Sequence, residues 1–337
     1  MPDRELPLRA RRSLVLVIGA ALVAKPLIPF AQQQSKIWRV GFLSPRRRPA
    51  LFDLDYYGAF PQRMRELGYV EGKNLIIEWR FANGEYEHLP AMAADLVQLK
   101  VDVIMALGPP GVIAAQKATA TIPVVMVVSV DPVGAGFVKS LARPGGNITG
   151  LSNLAGDLSP KHLEFLLTIV PKLSRIAVLV NPTNAAHAAV RTNVQEAARR
   201  AGIAVLVVEA HTLQEIERAF SKMTRDNAGA VIVSLDPFLI QQVLQIAEQA
   251  TKHRLPSIFA FREGAEAGGL LAYGQNQVDI YRRAAGYVDR IFKGARPADL
   301  PVEQPTTLEL VVNAKTAKAL GLTIPQSLLL RSHMVID

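Results

Sequence analysis

Two segments of the chain, residues 101–132 (VDVIMALGPPGVIAAQKATATIPVVMVVSVDP) and 229–261 (GAVIVSLDPFLIQQVLQIAEQATKHRLPSIFAF), share one plan. Each is an apolar strand, a proline-marked turn, an amphipathic helix, and a proline directly before the next apolar strand. A strand apolar along its whole length must be covered on both faces, which parallel sheets flanked by helices provide. Alternation of this kind runs from Trp38 to the end of the chain, from WRVGFLSP through SRIAVLVNP and IAVLVVEA to TLELVVNAKTAKALGL. The pattern predicts an α/β fold, and the repeated plan predicts two similar α/β domains rather than one large sheet. A length of 337 residues suits two such domains.

The formal charge of +9 invites a nucleic-acid reading. Residues 1–31 hold five basic residues against two acidic ones, and the remaining charges are scattered. Only Arg46-Arg47-Arg48 forms a run, read here as a solvated loop. No nucleic-acid partner is expected. The absence of cysteine excludes disulfides, thiolate metal sites and cysteine nucleophiles. RARR followed by the 12 apolar residues SLVLVIGAALVA, then IPFAQQQS, reads as a signal peptide cleaved after Ala31.

Several motifs fall short of the chemistry they suggest. Gly134-Ala135-Gly136 lacks the third glycine of a dinucleotide loop, with Lys139 in its place. GYVEGKN (68–74) is one residue short between its glycines for a phosphate loop and has no hydroxyl after Lys73. TGLSNL (149–154) has Leu154 where a nucleophile elbow needs glycine. The six histidines have no metal-ligand spacing. No catalytic residue, cofactor or metal site is assigned.

What remains is a set of residues at the carboxyl ends of the apolar strands, where open α/β sheets bind ligands. These are Ser44, Gly108, Pro110, Ser129, Asp131, Asn181, Asp236, Phe261, Glu263 and Tyr273. Asp or Asn before Pro equally serves to cap a helix or set a turn. Phe261 and Tyr273 are candidates to stack on an apolar solute, while alternation assigns Phe259 to the core.

The stretches AQQQSKIWRVGFLSP, MRELGYVEGKNLIIEWRFANGEYEHLPAMAADLVQLKVDVI, TIPVVMVVSVDPVGAGFVKSLARPGGNITGLSN, HRLPSIFAFREGAEAGGLLAYG and PADLPVEQPTTLELVVNAKTAKALGLTIPQSLLLR resemble the solute-binding proteins of ABC importers, in the family that includes tryptophan- and tyrosine-type binding proteins. The resemblance implies a periplasmic-binding-protein-like fold of type I, two parallel-sheet α/β lobes joined by a three-strand hinge. Residues 37–150 plus 275–303 would form one lobe, and 151–274 plus 304–337 the other. It implies a monomer in the periplasm that captures a small amino-acid-like or aromatic solute between the lobes. Closure would present both lobes to an ABC permease in the inner membrane, or to a signalling protein in a sensor role. An enzyme on the same fold is the third reading, and it requires a nucleophile or acid–base pair that the motifs do not supply. In relatives, hydroxyls and N–H groups hold the solute's carboxylate and an acidic residue its ammonium, here assigned to Asp236. Where relatives read Gly-Thr/Ser-Pro-Ala, this chain has Gly108-Pro109-Pro110-Gly111, so Pro109 removes a hydroxyl and an N–H.

Overall fold

The computed structural model describes residues 36–184, 187–304 and 306–337, so the leader expected over residues 1–31 lies outside the described residues. The first sheet contains β1 (Trp38–Ser44), β2 (Leu75–Phe81), β3 (Val103–Leu107), β4 (Val124–Val130) and β5 (Ile148–Asn153). Their order is β2-β1-β3-β4-β5, with every neighbouring pair parallel. Helices α1 (Ala59–Glu66), α2 (Leu89–Gln98) and α3 (Gly108–Ala118) make the connections among the first four strands.

The second half contains α4 (Ala155–Ile169), β6 (Arg175–Val180), α5 (His187–Ala201), β7 (Ala204–Glu209), α6 (Leu213–Arg225) and β8 (Ala230–Val233). After these come α7 (Pro237–Gln241), α8 (Val243–Lys252), β9 (Ser257–Phe259), α9 (Glu263–Glu266), β10 (Leu271–Gln275), α10 (Gln277–Phe292), β11 (Leu308–Asn313) and β12 (Met334–Ile336). The second sheet runs β12-β11-β10-β9-β8-β6-β7. Among the described strands only the β10–β11 pair is antiparallel.

The two-residue period of the strands sorts their side chains onto two faces. In β3, Val103, Met105 and Leu107 join the core beneath α1 and α10, while Ile104 and Ala106 join the core beneath α2 and α3. Helix α10 follows a strand of the second sheet but packs on the first, with Ile280, Tyr281, Ala284 and Val288 buried beside Val40 and Phe42. The chain therefore passes between sheets around 153–155, 275–277 and 303–308. Strand β5 runs on to Asn153, so the first crossing follows Asn153 rather than Gly150. Gly150 sits at φ +128°, and a Cβ there would meet the Met126 carbonyl oxygen at 2.2 Å. Only glycine allows that approach of β5 to β4. Glu303 ties the third crossing to the first: its N–H donates to the Gly150 carbonyl at 3.0 Å, and its carbonyl accepts from the Ser152 N–H at 2.9 Å.

Candidate functional site

The carboxyl ends of both sheets face each other across a small enclosed cavity. Arg46, Tyr56, Tyr57, Gly108, Pro109, Val128, Val130 and Tyr281 line it from the first lobe. Asn184, His187, Val190, Leu235, Pro237 and Ile240 line it from the second, with Asn153 and Gln277 at the crossings. The space open inside is about 50 Å³. That admits a few water molecules, whereas pockets for drug-sized ligands run to roughly 300–1,000 Å³. A wider depression of about 870 Å³ lies over α5, β7 and α6, but it is open and lined by paired charges such as Arg191–Glu209 and His211–Glu215. The cavity at the ends of both sheets is the candidate site.

The lobes touch directly at its rim. The Tyr86 hydroxyl, from the first lobe, lies 3.4 Å from both carboxylate oxygens of Asp236 in the second. The Gln241 side chain accepts from the Arg47 N–H at 3.0 Å and donates to the Asn83 carbonyl at 3.4 Å. These contacts hold the lobes in a closed arrangement.

Asp236 is fully buried and fully engaged. Oδ1 accepts from the N–H groups of Phe238 at 2.9 Å and Leu239 at 3.2 Å, capping α7, and from Asn181 Nδ2 at 3.1 Å. Oδ2 accepts from Asn184 Nδ2 at 2.9 Å. With Tyr86 added, five donors serve the roughly four lone-pair positions of one carboxylate. Asn181 is spent on the same network, its Oδ1 accepting from the Thr183 N–H and hydroxyl at 3.0 and 2.8 Å. Asp236 and Asn181 are thus organisers of the cavity wall, in the capping role that Asp and Asn before Pro allow.

The other expected residues divide. Gly108 lines the cavity at φ +63°, a left-handed conformation suited to glycine. Pro109 lines it too, while Pro110 faces an outer depression beside Tyr86 and Ile113. Ser44 is buried behind the cavity, its Oγ 2.9 Å from the Tyr57 hydroxyl, and so positions a lining residue. Ser129 does not line the cavity. A bulge in β4 between Met126 and Ser129, with Val128 at φ +60°, breaks the alternation and presents Val128 and Val130 instead. Asp131 is exposed and accepts from the Gly134 N–H at 2.9 Å, which makes it a turn residue. Phe261 is core, packed edge-on against Phe259 at 5.6 Å. Tyr273 faces α4, with its ring 4.9 Å from that of Phe165, rather than the solute space.

The residues that sequence reasoning missed come from the stretch after β1. Arg46 is not solvated: its side chain is 13% exposed. Its guanidinium carbon lies 5.0 Å from the ring centroids of both Tyr56 and Tyr57. Nη1 donates to the Tyr56 hydroxyl and Nη2 lies 3.5 Å from Asp55 Oδ2. Arg48 likewise stacks over Phe52 at 5.0 Å. Tyr281 closes the aromatic group, 5.3 Å from Tyr56 and 5.1 Å from Tyr57. Glu263, one of the expected residues, is not among those lining the cavity but lies in the second lobe within electrostatic reach of Arg46, Asp55 and Tyr56. Burial raises its carboxyl to about 7. The only sequence signal for this cluster is Asp55-Tyr56-Tyr57 placed after an arginine run.

Two parallel α/β lobes closed over a small cavity at their strand ends are the architecture of a periplasmic-binding-protein-like substrate-binding protein. The model of the ABC transporter substrate binding protein family matches residues 49–336, and the chain belongs to that family. It is 29% identical over 265 residues to a tyrosine-binding protein of Clostridioides difficile, across 78% of this chain and 75% of the relative. A conserved domain protein from Vibrio cholerae superposes with a TM-score of 0.83 at 28% identity, covering 89% of this chain and all of that one. An ABC domain from Streptococcus pneumonia in complex with L-Trp gives 0.81 at 27% identity, covering 89% and 99%. The ligand-free, open structure of a substrate-binding protein with adhesive properties from Clostridium difficile gives only 0.65 at 25% identity, covering 89% and 100%. Identity and coverage are almost equal between the last two, so the poorer superposition on the structure described as open agrees with the closed arrangement that the rim contacts show. The tyrosine-binding relative and the open structure are described as binding proteins, and no group of three or more metal-ligating side chains occurs among the described residues.

Proposed function

We propose that this chain is the exported solute-binding component of an ABC importer, taking a small amino-acid-like or aromatic solute between its lobes and delivering it to a membrane permease. The observation that carries this is the closed cleft itself, with three tyrosines and several aliphatic side chains around a cavity between the lobes. Family membership and relatives described as binding tyrosine or containing L-Trp support an aromatic amino acid as the solute class. The lobes are assigned as 37–153 with α10, and 154–275 with the C-terminal strands. Capture proceeds with the lobes apart, since the closed space is too small for an amino acid. Closure then buries the solute and presents one composite face to the permease. No helix among the described residues is long and apolar enough to cross a membrane.

The test is thermal unfolding of the purified chain, stripped of carried-over solute by unfolding and refolding, against amino acids, aromatic acids, short peptides, purines and sugars. A solute bound only by the native state at a hundredfold excess over its Kd stabilises it by about 2.7 kcal/mol. The expected result is an upward shift with aromatic amino acids or their analogues. A shift confined to sugars or purines overturns the solute class.

A further inference from the structure

Arg46 is the only arginine or lysine lining the cavity, and no aspartate or glutamate lines it. Leu235 and Pro237 reach the space, but Asp236 between them does not, and four donors of its own lobe occupy its oxygens. His187 has its ring engaged on both sides, accepting from the Asn181 N–H at 2.9 Å and donating to the Leu235 carbonyl at 3.2 Å. A ring that accepts on one nitrogen and donates on the other is neutral. An ammonium brought into this space meets no carboxylate, and burying a charge without a partner is costly.

Arg46 presents the opposite condition. Its side chain is 13% exposed, and Nε is buried without a hydrogen-bond partner. Nη1 donates to the Tyr56 hydroxyl, and Nη2 lies 3.5 Å from Asp55 Oδ2. Asp55 does not line the cavity, and its other oxygen accepts from the Tyr57 N–H at 3.0 Å. The Tyr56 oxygen already accepts from Arg46, so its own proton is left to donate, and burial keeps that phenol protonated. Two buried donors on adjoining groups of the cavity wall, Nε–H and the Tyr56 O–H, thus have no acceptor among the described residues.

We propose that Arg46 Nε–H and the Tyr56 hydroxyl hold an anionic oxygen of the solute, and that the solute is an aromatic carboxylic acid without an amine rather than an amino acid. This rests on the solute-binding reading above and narrows it. The position differs from the carboxylate position that the family resemblance implies, at the turn after β3, where Pro109 has no N–H to give. A carboxylate beside the guanidinium gains charge-assisted hydrogen bonds that a neutral group does not. Tyr57 and Tyr281, with ring centroids 5.1 Å apart, wall the space for the aromatic body together with Val128 and Val130.

Titration calorimetry on the full chain tests this with four probes that share one phenol ring: 3-(4-hydroxyphenyl)propionate, its carboxamide, L-tyrosine and tyramine. The unaltered chain should bind the acid about tenfold or more tighter than the carboxamide and L-tyrosine, with tyramine weakest. Arg46→Gln should remove the preference for acid over carboxamide, while Arg65→Gln, at an exposed position of α1, leaves it intact. Equal weakening of acid and carboxamide by Arg46→Gln would mark Arg46 as structural and overturn the proposal. L-tyrosine binding as tightly as the acid, or more tightly, also overturns it and returns the solute to the amino acids, with the solute-binding reading still standing. Tyramine in that place overturns it in favour of a cationic solute. Silence from all four probes and from the wider solute panel overturns both readings. Should the Gln variant fail to fold, the order of the four probes on the unaltered chain decides the question.

Discussion

The second lobe carries two acids with buried carboxylate oxygens, Asp236 and Glu263, and they differ in what the protein has already done with them. Asp236 receives five donors from its own helix, two asparagines and the opposite lobe. Glu263 keeps one buried oxygen with no partner. A carboxylate whose lone pairs are filled stabilises the fold and has little left for a solute. One left open raises the free energy of the folded chain once it is ionised. The same chemical group is thus satisfied within the fold at one position and left open at the other, and the number of donors around it makes the difference.

Asp236→Ala tests the first half of that contrast and carries the largest expected effect. It removes the N-cap of α7, worth about 1 kcal/mol, and strips acceptors from the buried amides of Asn181 and Asn184, worth about 1–3 kcal/mol more. Urea unfolding without solute should show a loss of roughly 2–4 kcal/mol. A stability loss near zero combined with lost solute affinity would break the comparison, because Asp236 would then be a solute contact.

Glu263→Gln is expected to move stability the other way, and only at high pH. The carboxyl is raised from 4.5 to about 7 in the folded chain, so the folded state holds this proton more tightly than the unfolded one. Its stabilising contribution is complete below about 4.5 and disappears as pH rises through 7. The variant does not titrate. It should match the parent near pH 5 and exceed it by roughly 1–3 kcal/mol at pH 8 in the absence of solute. Parallel stability curves at both pH values would show that the open oxygen costs the fold nothing.

The fold was legible wherever local period and burial agreed. Val103, Met105 and Leu107 against Ile104 and Ala106 sort onto the two faces of β3 as alternation requires. The site was less legible for identifiable reasons. The β4 bulge moves Ser129 off the cavity, and nothing in PVVMVVSV marks where the extra residue falls. Phe259 and Phe261 are two residues apart, so a two-residue period sets them on one face; both lie in the same core, and the expectation that they point apart misapplied the period. Tyr273 obeys its strand's period and for that reason faces α4. Arg46 was misjudged because a charge run reads as solvated until the rings ten residues later fold over it. Only the capping alternative held open for Asp and Asn before Pro anticipated Asp236 and Asp131. Of the Gly108-Pro109-Pro110 turn, Gly108 and Pro109 reach the cavity and Pro110 does not.

The smallest expected effect belongs to the one bond that joins the Asp236 end to the other lobe. Tyr86 reaches Asp236 at 3.4 Å, a long contact, and burial beside that carboxylate pushes the phenol's pKa above its ordinary value, so the hydroxyl stays protonated as the donor. Tyr86→Phe keeps the ring and removes only that donation, while the other four donors to Asp236 remain. Global unfolding should change by less than about 0.5 kcal/mol, because the bond lies between lobes rather than within one. The closed arrangement should lose roughly 0.5–1 kcal/mol relative to the open one, lowering solute affinity about two- to fivefold. Small-angle scattering of the solute-free variant should give a larger radius of gyration than the parent. If the radius and the affinity both stay fixed, Gln241 with its contacts to Arg47 and Asn83 holds the rim alone, and Asp236 serves only its own lobe.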